Sequence, residues 1–588
     1  MKWKVKSEKV PQSVDEVIET LLLNRGIVAF QEKKLFFDAT VTDILPDLFK
    51  LFDQKTISKV IKRITQAIQS DEPIFIHGDY DVDGISATGI LWETLYRDLG
   101  YKNVHPFIPH RIHHGYGVSK ESIDEIVRST PEGSHKLIIT VDCGITAREA
   151  IEYGKSLGLD FIVTDHHTIQ DEKKPIDIPI VHTYELCGAG IAWVLSLFLK
   201  KTFRHSGLPA QAGLSRIDSG VVHDPSVGTP QNDVSVGYQQ GLDLVALATI
   251  SDIQSLTGFN RVLVKEGISL LTNTMRIGLQ KLYEVAGISG HSIGQYEVGW
   301  VIGPRLNAMG RLEHALDSLR LLCTTDSKRA LEMAQKMHET NAERQLLTQQ
   351  AIAQSVEMVF ANNWQNDLIL VVMNEQWNEG ILGLIAGKLV ERFGVPVIVL
   401  GKSEGIYKGS ARSVDNFNII DAIKSQDQLL IDAGGHAMAA GLSIESDKIE
   451  EFRQKMCEFA AESFKGEKPT KCLSIDMEFP SLFINENMVD ELNTLEPFGF
   501  GNPKPVFLTN LKVIKKRIIG SNGNHIKIAL ISPEDNQHRI DAVGFGMGER
   551  INEIEQGQTL SWVYTLEKDT FYDQPRVQLK LKDFAPLT

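Results

Sequence analysis

Between His77 and Asp83, in His77-Gly78-Asp79-Tyr80-Asp81-Val82-Asp83-Gly84, four ionisable side chains fall within seven positions. Three carboxylates this close repel one another unless something positive lies among them, and a divalent cation is the usual reason to tolerate the arrangement. The plain alternative is an acidic, solvated turn. Further along, Val141 runs into Asp142-Cys143-Gly144, Thr164 into Asp165-His166-His167, and the apolar run Leu242–Ser251 into Asp252. Carboxylate and imidazole thus recur at the ends of four apolar segments.

The elements that must position them alternate. Residues 71–200 pass from strand-like runs (Ile74–Ile76, Leu137–Val141, Phe161–Thr164) to helix-like ones (after Gly84, and near Ala147–Leu157). That alternation predicts a mostly parallel sheet flanked by helices. With Leu242–Ser251 read as a further strand, the sheet brings its carboxyl ends to one edge, where open α/β sheets bind ligands. Asp81, Asp83, Asp142, His166 and Asp252 are then expected to converge.

A chain of 588 residues is too long for one core and predicts several domains. A net charge of −15 argues against a protein that coats nucleic acid by bulk electrostatics, while leaving room for a local basic groove. The five cysteines lack Cys-x-x-Cys spacing, so neither a zinc ribbon nor a disulfide framework is predicted. Gly190–Leu199 is too short to cross a bilayer, and Met1–Val5 lacks the apolar core of a signal peptide, which predicts a cytoplasmic protein that does not engage membranes. Gly188-Ala189-Gly190 lacks the third glycine of a dinucleotide fingerprint and reads as the tight start of a buried helix.

The combination of His-x-x-x-Asp-x-Asp, Val-Asp-Cys-Gly and Asp-His-His resembles the DHH phosphoesterase superfamily. Within it, Trp300–Leu312, Lys408–Ser413, Gly434–Gly441 and Leu495–Pro503 resemble the RecJ family of single-strand-specific 5′→3′ DNA exonucleases, over a span from about residue 20 to the C-terminus. The resemblance implies an α/β multidomain protein: a DHH parallel-sheet domain, a long connecting helix, a DHHA1 α/β domain and a C-terminal OB-fold β-barrel. Boundaries follow from pattern: a helical N-terminal cap over 1–70, the DHH domain over 71–325 with a Gly/Ser/Pro-rich flexible insertion at 201–240, a connecting helix over 326–362, the DHHA1 domain over 363–466 and the OB-fold nucleic-acid-binding domain over 467–588. Ser327–Glu379 contains no Gly or Pro, and a helix over Lys328–Phe360 would extend about 50 Å. Short strands after Leu473, separated by turns, suit a five-stranded barrel, on which Lys512, Lys515, Lys516, Arg517 and Lys527 could follow a strand's backbone.

The resemblance further implies roles. His77, Asp81 and Asp142 would hold one divalent ion, and Asp83, Asp142, His166 and Asp252 a second. A mixed imidazole and carboxylate set suits Mn²⁺, with Mg²⁺ as the alternative. His167, Arg305 and His436 would meet the scissile phosphate as catalytic groups, with Asp79 and Asp165 orienting ligands. Arg111, Ser410 and Arg412 would form a 5′-phosphate pocket, Tyr116 would stack or wedge, and Asn307, Arg311, Gly434 and Gly435 would complete the substrate contacts. Asn378 stands where the family commonly carries a histidine and is assigned no contact. Expected partners are single-stranded DNA and a single-strand-binding protein or helicase that supplies it, with the chain acting as a monomer in recombination and repair. Two rival readings are a DHH oligonucleotidase or nucleotide phosphatase acting on short substrates, and a non-catalytic scaffold that binds single strands in replication.

Overall fold

The computed structural model describes residues 2–115, 117–129, 135–205, 237–403, 405–520, 522–533, 539–569 and 576–587. Tyr116 and 206–236, most of the stretch read as an insertion, lie outside them. The chain divides into two compact units, one of Ile44–Asp252 with Glu266–Thr470 and one of Met1–Asp43 with Ile253–Lys265 and Lys471–Thr588.

In the larger unit the first sheet is parallel throughout, in the order Val104–Phe107, Ile74–Gly78, Lys136–Val141, Leu159–Asp165, Ile180–His182. Its central strands are buried on both faces, which is why they read as unbroken apolar runs rather than alternating ones. Helices Val82–Trp92, Arg148–Ser156 and Gly188–His205 connect and cover it. Leu242–Ser251 is a helix, which corrects the strand expected there. Residues 242–249 are all buried, so the segment is apolar on every side and carries no periodicity by which a buried helix differs from a buried strand.

Asp326 caps the 35-residue helix Ser327–Ala361, accepting hydrogen bonds from the amides of Lys328 and Arg329. A second sheet follows in the order Leu430–His436, Ala439–Ile444, Ile406–Arg412, Val397–Ser403, Leu370–Asn374. Only its last pair is parallel. The glycine-rich stretches around Ser410 and His436 therefore lie on antiparallel strands of one sheet.

In the smaller unit Phe507–Ile519, His525–Ile531, Arg539–Gly544, Arg576–Pro586 and Thr559–Asp569 form a five-stranded barrel, closed by pairing of the first with the last. Trp562, Tyr564 and Phe507 fill its interior. Lys2–Ser7 is a strand that pairs in parallel with Cys472–Glu478, so the N-terminus is not wholly helical and residues up to Asp43 belong with the barrel rather than capping the parallel sheet. The alternation Lys2-Trp3-Lys4-Val5-Lys6-Ser7 carries that period of two. Arg261 is buried here, its guanidinium donating to the carbonyls of Phe36, Leu495 and Glu496 at 2.8, 2.9 and 2.6 Å. Of the basic residues expected to follow a DNA backbone, Lys516 donates to the carbonyl of Ile551 and Lys527 pairs with Asp541, while Lys512, Lys515 and Arg517 are exposed. Among the described residues no helix is long and apolar enough to cross a membrane.

One buried ion network ties the helices of the larger unit. Arg276 donates to Asp243 at 2.5 Å and to both oxygens of Glu93 at 2.8 and 3.0 Å. Asp243 opens the helix that ends at Asp252, and Glu93 follows the helix that begins beside Asp81 and Asp83. Arg276→Met leaves the buried Asp243 carboxylate without its cation and Glu93 with Arg97 alone, a loss on the order of 3–5 kcal/mol. Denaturant unfolding should show it, and a change below about 1 kcal/mol would contradict the network's role.

Candidate metal centre and substrate cleft

The acidic turn is shaped by close packing. A Cβ at Gly84 would lie 2.5 Å from the Asp79 amide nitrogen, so only glycine admits the turn. Asp81 caps helix Val82–Trp92, its Oδ1 accepting hydrogen bonds from the amides of Asp83 at 2.9 Å and Gly84 at 3.1 Å. Asp83 accepts one hydrogen bond on each oxygen, 2.7 Å from the amides of Gly188 and Ala189 in the first turn of helix Gly188–His205. The positive end of that helix stabilises the carboxylate. Asn307 Oδ1 accepts a hydrogen bond from the Val82 amide at 3.1 Å, holding the turn from the other side.

Asp142 follows strand Lys136–Val141 in a left-handed backbone conformation, φ +60°, which aspartate tolerates better than most residues. Three sets of potential ligand atoms lie within 4.8 Å of one another: Asp79, Asp81 and Asp142; Asp83, His166 and Asp252; and Asp142, His166 and His167. His166 Nε2 is 3.1 Å from Asp142, 3.6 Å from Asp83 and 3.8 Å from Asp252, so Asp142 stands between the first two sets. Asp252 arrives from the C-terminal end of a helix rather than from the sheet.

His77 is not brought into these sets. Its ring is buried beside Phe107, with Nε2 3.2 Å from Ser122 Oγ and Nδ1 3.8 Å from Cys143 Sγ. Asp79 is grouped with Asp81 and Asp142 instead. The reason is local: His77 still lies within strand Ile74–Gly78, while Asp79 is the first residue to leave it.

Burial pushes the carboxyls of Asp79 and Asp142 well above the ordinary range, and neighbouring carboxylates add to the effect; Asp81 is raised for the same reasons. Asp79 Oδ1 and Asp142 Oδ1 are buried without a hydrogen bond. Buried, crowded carboxylate oxygens beside an imidazole fit divalent cations of the Mn²⁺ or Mg²⁺ class. Asp165 instead organises its own loop, accepting from the amides of Ile145, His166 and His167 and pairing with His167 Nδ1 at 2.8 Å. Burial opposes a charge on His167, but the hydrogen bond and charge of Asp165 outweigh it and push the imidazole up to about 9.

Of these groups Asp165 and His167 line a cleft of 810 Å³ whose opposite wall is the second sheet. Tyr80, Arg111, Asp165 and His167 line one side, and Ser410, Arg412, Gly434, Gly435 and His436 the other. Arg111 lies over the Tyr80 ring, 5.1 Å from its centroid, and Arg412 reaches Ser410 Oγ at 3.4 Å. Arg305, Asn307 and Arg311 do not line it. Arg305 donates to the Val301 carbonyl at 2.7 Å, and Arg311, half-buried, to the Gly380 carbonyl at 2.9 Å. Asn378 caps its own turn through the Gly380 amide, consistent with the absence of a substrate role. Sequence reasoning missed the grip of Gly188 and Ala189 on Asp83, although the small-residue start of an apolar helix was a visible signal. It also missed Lys173 and Lys408, which line the cleft.

Comparison with known proteins matches residues 73–214 to the DHH family N-terminal domain, 365–462 to the DHHA1 domain and 475–583 to the RecJ OB domain. The single-stranded-DNA-specific exonuclease RecJ of Bacillus subtilis is 32% identical over 594 residues, 99% of this chain and 69% of the relative. The RecJ of Escherichia coli is 26% identical over 597 residues, 98% of this chain and 97% of the relative. Among solved structures, RecJ of Thermus thermophilus in complex with Mn²⁺ superposes with a TM-score of 0.78 at 25% identity, covering all of this chain and 80% of that one.

A Cβ at Gly188 would lie 2.5 Å from the Asp142 Cβ. Gly188→Ala should therefore displace Asp142 and lower Mn²⁺ affinity at least about tenfold, measured by calorimetric titration; unchanged affinity would show that the contact is not tight. Because burial and mutual repulsion raise the pKa values of Asp79, Asp81 and Asp142, protons compete with a cation for these carboxylates as pH falls. Mn²⁺ binding should strengthen as pH rises toward neutrality, with net proton release visible as a buffer-dependent binding heat, whereas a pH-independent affinity would contradict the assignment.

Proposed function

The chain belongs to the RecJ family of single-stranded-DNA-specific exonucleases, and on that premise we propose that the 810 Å³ cleft hydrolyses phosphodiester bonds of single-stranded DNA from the 5′ end, with two divalent cations as cofactors. The observation that carries this reading is one cleft that reaches the metal-capable sets through His167 and is lined across from it by Ser410, Arg412, His436 and glycine backbone. Anion-binding groups facing the metal-capable sets suit a phosphate held against metal.

In this reading Asp79, Asp81 and Asp142 hold one ion, and Asp83, His166 and Asp252 the other, with Asp142 shared between them. When bound, such a pair of ions lowers the pKa of a water molecule and stabilises charge on the phosphate in an in-line displacement. The chain's own side chains do the rest. The Gly188 and Ala189 amides fix the Asp83 carboxylate, and Asp81's bonds to the turn leave its second oxygen for a ligand role. Asp165 holds the His167 Nδ1 proton, which leaves Nε2 to donate to the phosphate or leaving oxygen. His436, with the amides of Gly434 and Gly435, contacts the phosphate from the opposite wall. Arg111, Ser410 and Arg412 form the 5′-phosphate pocket; Arg412 and Arg111 crowd one another's charges, and an anion between them relieves that repulsion. Arg305, Asn307 and Arg311 act from behind, Asn307 through Val82 and Arg311 through Gly380, rather than as direct contacts.

Single-strand selectivity is steric, since the cleft is walled on both sides within one compact unit. A complete cleft in one chain supports action as a monomer, and a DNA substrate is what supports a cytoplasmic location. Single-strand-binding protein or a helicase is the kind of partner that would supply such a strand.

Time-resolved digestion of 3′-labelled single-stranded DNA in Mn²⁺, beside RNA and duplex of the same sequence, tests the proposal. Progressive shortening of the DNA strand alone, from its 5′ end, is expected, and Asp142→Ala should abolish it. Cleavage confined to oligomers of a few nucleotides would instead indicate an oligonucleotidase, and binding without cleavage a scaffold. Arg412→Ala should cost about tenfold or more in kcat/KM on 5′-phosphorylated strands and less on 5′-hydroxyl strands; equal losses would remove the pocket.

A further inference from the structure

Beside the metal centre runs a helical stretch that carries two large aromatic side chains into solvent. Tyr296 and Trp300 are each 67% exposed, although rings of this size ordinarily bury most of their surface in a folded chain. They are four residues apart, and Glu297–Ile302 is wound as a π-helix, a local widening often found at functional sites. One turn's separation puts both rings on one face. Gly299 lies between them, and a side chain there would meet nothing within 4 Å, so the space beside the rings is open.

This segment is fastened to the centre. A Cβ at Gly303 would come within 2.9 Å of Ser251 Oγ, the residue before Asp252, and Asn307 on the following helix holds the Val82 amide between Asp81 and Asp83. One guanidinium lies at the same place: Arg305, half-buried, donates to the carbonyl of Val301, next to Trp300. Exposed rings beside a cation suit a polyanion with flat, unpaired bases, which single-stranded DNA is and a duplex is not.

We propose that Tyr296 and Trp300 form a stacking platform for unpaired bases of the substrate strand as it passes the metal centre. The proposal rests on the single-strand reading given above and adds to it the residues that grip bases rather than phosphates. Stacking of this kind is sequence-tolerant, because every base has a π-face.

The test separates bases from backbone. A fluorescent 20-nucleotide strand and a set of strands with one abasic site moved along it are bound to the full chain in Ca²⁺, which slows cleavage. Trp300→Ala and Tyr296→Ala are each expected to weaken the intact strand about tenfold, within the range of single-base stacking. Trp300→Leu, which keeps apolar bulk without a π-face, should resemble Trp300→Ala, and Trp300→Phe should restore most of the affinity. A strand whose abasic site falls at the platform should lose less than about twofold on the same substitutions, and 5-iododeoxyuridine at that position should photocrosslink to Trp300 or Tyr296. Equal losses on intact and abasic strands at every position, or no loss on either, would overturn the platform while leaving the nuclease reading intact. Failure of the wild-type chain to bind any single strand would overturn both.

Discussion

Asp79, Asp81, Asp83, Asp142 and Asp252 crowd into one site, three of them almost fully buried, and their mutual repulsion is the constraint that the rest of the larger unit must meet. Two unit charges 4 Å apart repel by roughly 4 kcal/mol at an effective dielectric of 20, and this cluster contains several such pairs. Folding alone relieves only part of it. Asp83 is stabilised by a helix N-terminus and Asp81 by the amides of its own turn, but Asp79 and Asp142 keep oxygens with no hydrogen bond and carboxyls raised in pKa. What remains is work for cations, so the site's instability without them is the same property that makes it a metal centre.

The architecture can be understood as the means of holding that repulsion in place. Parallel strands deliver Asp79 and Asp142 to one sheet edge, and buried helices deliver Asp252 and the amides that grip Asp83. The far ends of helices Leu242–Ser251 and Val82–Trp92 are tied through Asp243, Glu93 and Arg276, which opposes their sliding apart to relax the cluster. Across the cleft the second sheet offers guanidinium, hydroxyl and glycine backbone, the complement that an approaching phosphate needs. The closed barrel of the smaller unit satisfies its own edges by pairing, and uses Arg261 rather than apolar packing alone to hold a turn of backbone carbonyls.

Much of this was legible in residue order. Acidic residues at the ends of apolar runs, the Gly- and Pro-free stretch that became helix Ser327–Ala361 and the turn-separated strands of the barrel each carried a local signal strong enough to read. The failures have physical causes. Leu242–Ser251 is apolar on every side, so its helix left no periodic trace. His77 has a ligand's chemistry and a motif's spacing, and two residues deeper in the strand than Asp79 it meets Ser122 and Cys143. Arg305 and Arg311 look like phosphate ligands in sequence, and in the structure they donate to backbone carbonyls. The N-terminal strand pairs with residues some 470 positions away, a contact no local pattern can announce.

The central claim is that the acidic cluster is resolved by two cations in defined places. Anomalous diffraction at the manganese edge from crystals of the full chain soaked in Mn²⁺ tests it most directly. Two peaks are predicted, one in contact with Asp79, Asp81 and Asp142 and one with Asp83, His166 and Asp252, with Asp142 reaching both. A single peak, or a peak bound to His77, would contradict it.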